Sequence, residues 1–321
     1  MPPFDTLAGK KPIARQPRVR SQRAWFSTLF RLRGSVIPAV MPRVLCCVVF
    51  SLLVSILHQR NWPVSLPTLS GIVPSIVLGL LLVFRTNTAY ERFWEGRKLW
   101  GTMVNVSRNL ARQIWVAVEV KDNQERAAKQ QALRLVTAFS VATKLWLRKP
   151  SVNAPSHTEL QALLTPEHYD QLQVMHHPPL EIAFWLGDYL QQQQSKGYIH
   201  PYQLIKLLEL LDQLVNVLGG CERILKTPIP MAYSIHIKQL LLLYCLALPF
   251  QVVNDLGGWT ATIVGLVSFT VFGIEEIGIE IENPFGCDPN DLPLDEICQT
   301  MQQNIEDLMT LKPRIEAVDN G

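Results

Sequence analysis

One stretch of the chain limits its fold more than any other, because the run from Asn61 to Phe84 contains no charged residue. At about 1.5 Å of rise per residue, a helix over this run is long enough to cross a hydrocarbon core roughly 30 Å thick. A buried helix of a soluble protein is the alternative, but the run is too long and too free of charge for it. The run therefore predicts a helix that crosses a membrane.

Three further runs are similarly apolar. Ser35 to Leu57 is interrupted only by Arg43, and Gln239 to Asn254 is separated from Leu256 to Ile274 by the single acidic residue Asp255. Only 18% of all residues are charged, which is low for a soluble protein. The four runs predict two transmembrane hairpins, of which the second turns between residues 254 and 258.

The charges of the first third of the chain are almost all positive, although the net charge of the whole is only +3. No acidic residue stands between Asp5 and Glu91. The basic residues in that interval are Lys10, Lys11, Arg15, Arg18, Arg20, Arg23, Arg31, Arg33, Arg43, Arg60 and Arg85. A nucleic-acid-binding arm is one interpretation, but this arm leads directly into apolar sequence and so fits the positive-inside rule better. We expect both termini on the cytoplasmic side.

Between the hairpins the sequence is polar and has helical periodicity, with apolar residues at steps of three and four such as Leu110, Ile114 and Val118. No alternating strand pattern is present. The predicted organisation is a basic arm at 1–34, a first transmembrane hairpin at 35–85, a cytosolic helical region at 86–230, a second hairpin at 231–274 and a cytosolic segment at 275–321.

Signatures of catalysis are missing from the sequence. There is no GxxxxGK, GxGxxG, HExxH or GxSxG motif, and the six cysteines form no CxxC pair. We therefore expect neither an enzyme nor a bound cofactor. A membrane scaffold or enzyme that works through its cytosolic helices is the alternative from another functional class.

Three motifs resemble the bestrophin family of ion channels, in its bacterial and plant-type branch. They are FRTNTAYERFWEGRKLWG over Phe84–Gly101, TPIPMAY over Thr227–Tyr233 and NPFGCDPND over Asn283–Asp291. Their order and separations match the family over roughly residues 25 to 310. The resemblance implies an all-α integral membrane protein with four transmembrane helices per subunit, assembled as a homopentamer around a central pore that conducts monovalent anions such as chloride.

The resemblance further places the narrow neck of the pore at Ile76, Leu80 and Phe84 of the second span. With Ile72, these residues are spaced by four and share one face of a helix. Rings of such side chains can gate by dewetting, and the positive edge of an aromatic ring favours an anion. A face directed at lipid or neighbouring helices is the alternative. The neck carries no charge that would select an anion over a cation. A monovalent cation channel of the same fold is therefore a second alternative.

The second motif implies another constriction, at Ile229 at the cytosolic mouth of the pore. The prolines on both sides equally suit a rigid elbow that enters the third span. In the first motif we favour subunit packing over ion binding for the residues at the exit of the pore helix, and we expect Trp94 and Trp100 to be buried anchors. These exit residues are Arg85, Asn87, Arg92, Trp94 and Glu95.

Calcium is the one metal that the resemblance suggests, through Asn283, Asp288 and Asp291 after the fourth span. Calcium prefers six to eight oxygen ligands, and Cys287, Pro289 and Asn290 interrupt the acidic run here. A loop tied by its own carboxylates is therefore the favoured alternative. The host membrane is expected to be a plasma or inner membrane or a thylakoid, and no nucleic-acid partner is expected.

Overall fold

The computed structural model describes residues 31, 34–66, 72–148 and 157–313. Within these ranges the chain consists of helices and contains no β-strand, so the all-α prediction is confirmed. The helices are α1 Ile37–Gln59, α2 Ile72–Ala117, α3 Asn123–Arg148, α4 His157–Leu163, α5 Pro166–Val174, α6 Pro178–Ser195, α7 Pro201–Lys226, α8 Met231–Leu256, α9 Thr260–Glu280 and α10 Leu294–Met309. Most of the predicted basic arm lies outside the described residues.

Two helical stretches of the described part are long and apolar enough to cross a membrane. They are α1, with 23 residues, and the stretch Met231–Glu280, with 50 residues. A short 3₁₀ turn, Gly257–Trp259, divides the second stretch into α8 and α9. Gly257 has a φ of 49°, a conformation that glycine adopts without strain. The predicted reversal at residues 254 to 258 is therefore confirmed.

The start predicted for the second span is wrong, because α2 begins at Ile72 and residues 62–66 are not helical. Asn61 has a left-handed φ of 60°, which turns the chain directly after α1. The amide of Leu66 then donates to the carbonyl oxygen of Phe250 at 2.9 Å, so this connection pairs with α8 instead of extending a helix.

Helix α2 is the longest element and runs through both parts of the fold. Its 46 residues span roughly 70 Å at the usual helical rise. The predicted boundary between residues 85 and 86 therefore falls inside one continuous helix. Leu78 and Leu82 pack in a small cluster with α1, α8 and α9, whereas Trp100 and Leu110 belong to a second and larger cluster formed with α3, α6, α7 and α10. The periodic residues Leu110, Ile114 and Val118 are buried as predicted.

Helices α1 and α9 lie antiparallel and close together. A Cβ atom on Gly265 of α9 would come within 2.8 Å of a methyl group of Val48 on α1, so glycine permits this approach. At the start of α1, Arg43 donates to Glu276 near the end of α9 at 2.8 Å. At the opposite end Trp62 and Trp259 are exposed, a position typical of aromatic residues at a membrane surface.

Candidate functional site: the exposed face of α2 and the junction that follows it

The first half of α2 has two different faces. Leu78 and Leu82 are buried against α1, α8 and α9, with 5% and 3% of their surface exposed. The residues predicted to form the neck lie on the other face, where Ile76 is 62%, Leu80 53% and Phe84 56% exposed. The side chain of Ile72 lies outside the described part. An apolar helix face of this kind is left unpacked by the rest of its own chain.

Apolar side chains that a subunit does not bury itself require an apolar surrounding, from lipid, from other subunits or from a narrow pore. The spacing of Ile76, Leu80 and Phe84 stacks them along the helix at successive turns. In a ring of subunits each would form one apolar constriction without hydrogen-bond partners for water. Their assignment as the neck stays a prediction.

Arg85 follows Phe84 but points into the protein, with only 2% of its surface exposed. One guanidinium nitrogen, Nη2, donates to Oε2 of Glu282 at 2.9 Å. Its Nε and Nη1 atoms are buried and have no hydrogen-bond partner among the described residues. The side chain runs past Gly278 of α9, where a Cβ would be 3.5 Å from Cγ of Arg85. Arg85 thus attaches α2, directly after the exposed apolar face, to the end of α9.

Glu282, which the sequence analysis did not single out, is the centre of this attachment. While its Oε2 atom accepts from Arg85, its Oε1 atom accepts from the backbone amide of Ile229 at 3.1 Å. Its own carbonyl oxygen accepts from Nε of Arg92 at 3.2 Å. One residue therefore joins α2, the end of α9 and the Thr-Pro-Ile-Pro segment. Its signals in the sequence were its position directly before the Asn-Pro-Phe-Gly motif and its place in the acidic series that begins at Glu275.

Arg92 binds the end of α7. Its guanidinium donates to the carbonyl oxygen of Ile224 at 2.6 Å and to that of Thr227. The last carbonyl groups of a helix have no partner within the helix, and a cation there also matches the negative end of the helix dipole. Arg92 therefore fixes the point at which α7 turns into the second motif.

Ile229 is buried within its own subunit, with 8% of its surface exposed. Pro228 and Pro230 flank it, and Pro230 is the residue directly before α8. This burial favours the rigid-elbow interpretation of the motif. A constriction at Ile229 stays a prediction, and it requires the elbow to turn this side chain outward.

The other exit residues lie on the surface of the subunit. Asn87 donates to Glu91 one turn further along at 2.9 Å, and Glu95 accepts from Arg223 of α7 at 2.6 Å. Trp100 is fully buried within the chain, as expected of an anchor. Trp94 is 48% exposed in the single chain, so its burial between subunits stays a prediction.

Gly96 of the first motif lies directly against Pro284 and Phe285 of the third motif. A Cβ atom at this position would lie 2.9 Å from Cγ of Pro284 and 3.1 Å from Cε1 of Phe285. Both partners are ring-shaped and buried, so they have little room to move. The Asn-Pro-Phe-Gly loop therefore packs directly on the backbone of α2, one turn beyond Arg92.

The three residues considered for calcium act within their loop. Oδ1 of Asn283 accepts from the amide of Phe285 at 3.3 Å, and Oδ2 of Asp291 accepts from the amide of Asp288 at 2.7 Å. Among the residues with described positions, no group of three histidine, cysteine or acidic side chains is arranged to hold a metal ion. The hydrogen bonds support the tied loop, and calcium binding stays a prediction.

Comparison with known proteins gives consistent matches along nearly the whole chain. A family model described as Bacterial/Fungal Bestrophin protein matches residues 17–307. A voltage-dependent anion channel-forming protein of Nostoc sp. is 59% identical over 301 residues, covering 94% of this chain and 97% of that protein. Its counterpart in Synechocystis sp. is 58% identical over 294 residues, covering 92% and 94%.

The fold also matches solved structures. A crystal structure of a mutated bacterial bestrophin homolog from Klebsiella pneumoniae superimposes with a TM-score of 0.77 at 30% identity, covering 85% of this chain and 99% of that one. The three motifs that carry the resemblance meet at one place in the fold, where α2 leaves the small helical cluster. The protein is an integral membrane protein and belongs to the bacterial and fungal bestrophin family.

Proposed function

We propose that the protein is a homopentameric channel that conducts monovalent anions, chloride among them, through a neck lined by Ile76, Leu80 and Phe84. The observation that carries this proposal is the exposed apolar face of α2, opposite the buried face of Leu78 and Leu82. Five such faces around one axis would shield each other from water and enclose a narrow apolar passage. No catalytic step is involved.

The names of relatives support passage of anions. Proteins called voltage-dependent anion channel-forming proteins are similar to this chain over more than nine tenths of its length. The neck itself has no charged ring, so discrimination would depend on the ease of dehydrating an ion and on the aromatic edges of Phe84. A partly dehydrated anion is stabilised by such edges, whereas a cation is not.

The proposed topology has four membrane crossings and both termini in the cytoplasm. Helix α1 would cross outward, the start of α2 inward, α8 outward and α9 inward, while α3 to α7 and α10 stay cytosolic. The exposed Trp62 and Trp259 support this arrangement, since both lie at the turns that would be outside. The positive arm before α1 supports a cytoplasmic start.

The exit of α2 would then be a rigid collar at the cytosolic end of the neck. Arg85 and Arg92 hold α2 against Glu282, and Glu282 holds the backbone of Ile229. Movement of α2 that opens the neck would be transmitted through these bonds to Ile229. A second constriction formed by that residue would therefore respond to the first.

The test is a recording from purified full-length protein in a planar bilayer with asymmetric potassium chloride. We expect the reversal potential to lie towards the chloride equilibrium potential. Replacement of chloride by gluconate on one side should then shift it strongly, and replacement of potassium by a large organic cation should shift it little. A potential that follows potassium would instead support a cation channel of the same fold.

The assembly itself is measured separately from conduction. The mass of the detergent-solubilised protein should be about five times the 36.4 kDa of one chain, after the bound detergent is subtracted. A monomer or dimer cannot enclose a fivefold pore. Either would favour a membrane scaffold that works through its cytosolic helices.

A further inference from the structure

A groove of about 510 Å³ lies between α1, α8 and α9. Its size is within the range of pockets that bind small ligands. It is lined by Pro42, Arg43, Cys46, Cys47, Lys238, Leu241, Leu242, Leu246, Phe272 and Glu275. None of these residues belongs to α2. The groove is therefore separate from the proposed neck, and its apolar walls belong to helices that are proposed to cross the bilayer.

The charges of the groove are all at one end. Arg43 is near the start of α1, Lys238 near the start of α8 and Glu275 near the end of α9, and these three ends are proposed to be cytoplasmic. The rest of the lining is aliphatic, aromatic or thiol. A molecule that matches this groove has an apolar chain and a charged group at one end, as a membrane lipid does.

Two of the charged groups have unused hydrogen-bonding capacity. Arg43 donates to Glu276 at 2.8 Å and forms a longer ion pair of 3.6 Å with Glu275. Oε1 of Glu275 has no hydrogen-bond partner in the described structure, although only 2% of this side chain is exposed. Lys238 is exposed, and its charge acts on the carboxylate of Glu275. The end of the groove thus offers an exposed cation and a carboxylate whose hydrogen bonds are incomplete.

We propose that this groove binds a glycerophospholipid with a phosphoethanolamine headgroup, with one acyl chain between α1 and α8. The phosphate would pair with Lys238, and the ammonium would supply the hydrogen bond that Glu275 lacks. A phosphocholine headgroup has the same charges but no N–H donor. A phosphoglycerol headgroup has no positive charge. Phosphoethanolamine is the headgroup that offers a partner to both Lys238 and Glu275.

The proposal is tested by native mass spectrometry of the full-length assembly, delipidated and titrated with phosphatidylethanolamine, phosphatidylcholine or phosphatidylglycerol of identical acyl chains. We expect the ethanolamine lipid to bind roughly tenfold more tightly than the choline lipid, as for one charge-assisted hydrogen bond. Lys238→Gln should weaken binding of the ethanolamine and choline lipids about equally, because the phosphate that both carry loses its partner.

Leu242→Trp and Leu243→Trp form a matched pair. Both leucines are exposed on α8, with 51% and 65% of their surface accessible, but only Leu242 lines the groove. The first substitution should fill the groove and reduce lipid binding at least tenfold, whereas the second should leave binding unchanged. If the Leu242 variant does not assemble, Lys238→Gln and the comparison of headgroups on the wild-type protein still test whether the groove binds this lipid.

Three outcomes would overturn the proposal. They are equal affinity for the ethanolamine and choline lipids, equal effects of the two tryptophans, and a change in subunit number caused by Leu242→Trp. The last would mean that a second copy of the chain covers the groove. Lipid binding is measured without any ionic current, so its failure is distinguishable from failure of the channel proposal.

Discussion

The buried guanidinium of Arg85 and the carboxylate of Glu282 meet at 2.9 Å, although they are 197 residues apart in the chain. Through this contact the helix that carries the exposed apolar face is joined to the segment directly after α9. Glu282 uses its second carboxylate oxygen for the amide of Ile229, so the same side chain serves both sides of the junction. The junction is thus a small set of directional bonds, and single substitutions can separate its parts.

Glu282→Gln should lower the free energy of unfolding by about 1–3 kcal/mol, because Arg85 would keep a neutral acceptor in place of a charged one in a buried site. Thermal unfolding of the solubilised protein measures this change. Glu95→Gln is the matched control, since Glu95 pairs with Arg223 on the surface. This substitution should lower the free energy of unfolding by less than about 1 kcal/mol. Equal shifts for both variants would show that the junction is no more important than a surface pair.

Phe84→Ala and Leu80→Ala should each increase the single-channel conductance, because they remove apolar bulk from the proposed neck and ease its wetting. The control is Val83→Ala. Val83 is 62% exposed and adjacent to Phe84, but it lies about 100° away around the helix. Unchanged conductance in both test variants, or an increase only in the Val83 variant, would place the pore lining on another face.

Gly96→Ala should destabilise the protein by about 1–3 kcal/mol, since the new methyl group would overlap Pro284 and Phe285. Gly101→Ala on the same helix meets only the end of the flexible Arg97 side chain, at 3.4 Å. It should be neutral or stabilising by up to about 1 kcal/mol, because alanine suits a helix better than glycine. A Gly96 variant as stable as the Gly101 variant would contradict the close packing of the two motifs.

Asp295 should make the larger helical cluster sensitive to acid. Burial alone would raise the pKa of its carboxyl, but hydrogen bonds from Lys144 and Arg148 outweigh burial and hold the pKa below its usual value. The resulting stabilisation is complete above the unfolded pKa of about 3.9 and is lost as pH falls through the lower folded value.

Asp295→Asn should therefore lower the unfolding temperature at pH 5 and reduce its further fall between pH 4 and pH 3. Glu296→Gln is the control, because the neighbouring Glu296 side chain is exposed and forms no ion pair or hydrogen bond in the described structure. If the acid-induced fall is the same in wild type and in the Asp295 variant, other carboxylates are responsible for it.

Local patterns were sufficient to predict much of the fold. The apolar periodicity of Leu110, Ile114 and Val118 identified a buried helix face, and residues 254–258 identified the turn between α8 and α9. The helix predicted from the charge-free run was wrong at its beginning, because hydropathy does not distinguish a helix from a non-helical apolar connection. Residues 62–66 make that connection, and their backbone pairs with α8 through Leu66.

By itself, the sequence determined the helical class, the apolar runs and the family, because periodicity and motif residues are properties of neighbouring positions. It also determined that Ile76, Leu80 and Phe84 share a helix face. Only the tertiary structure decided that this face is the uncovered one, that α2 continues unbroken from the small helical cluster into the larger one, and that Arg85 turns inward to Glu282. These outcomes depend on which distant helices pack against each other, and packing is a balance of contacts between residues far apart in the chain.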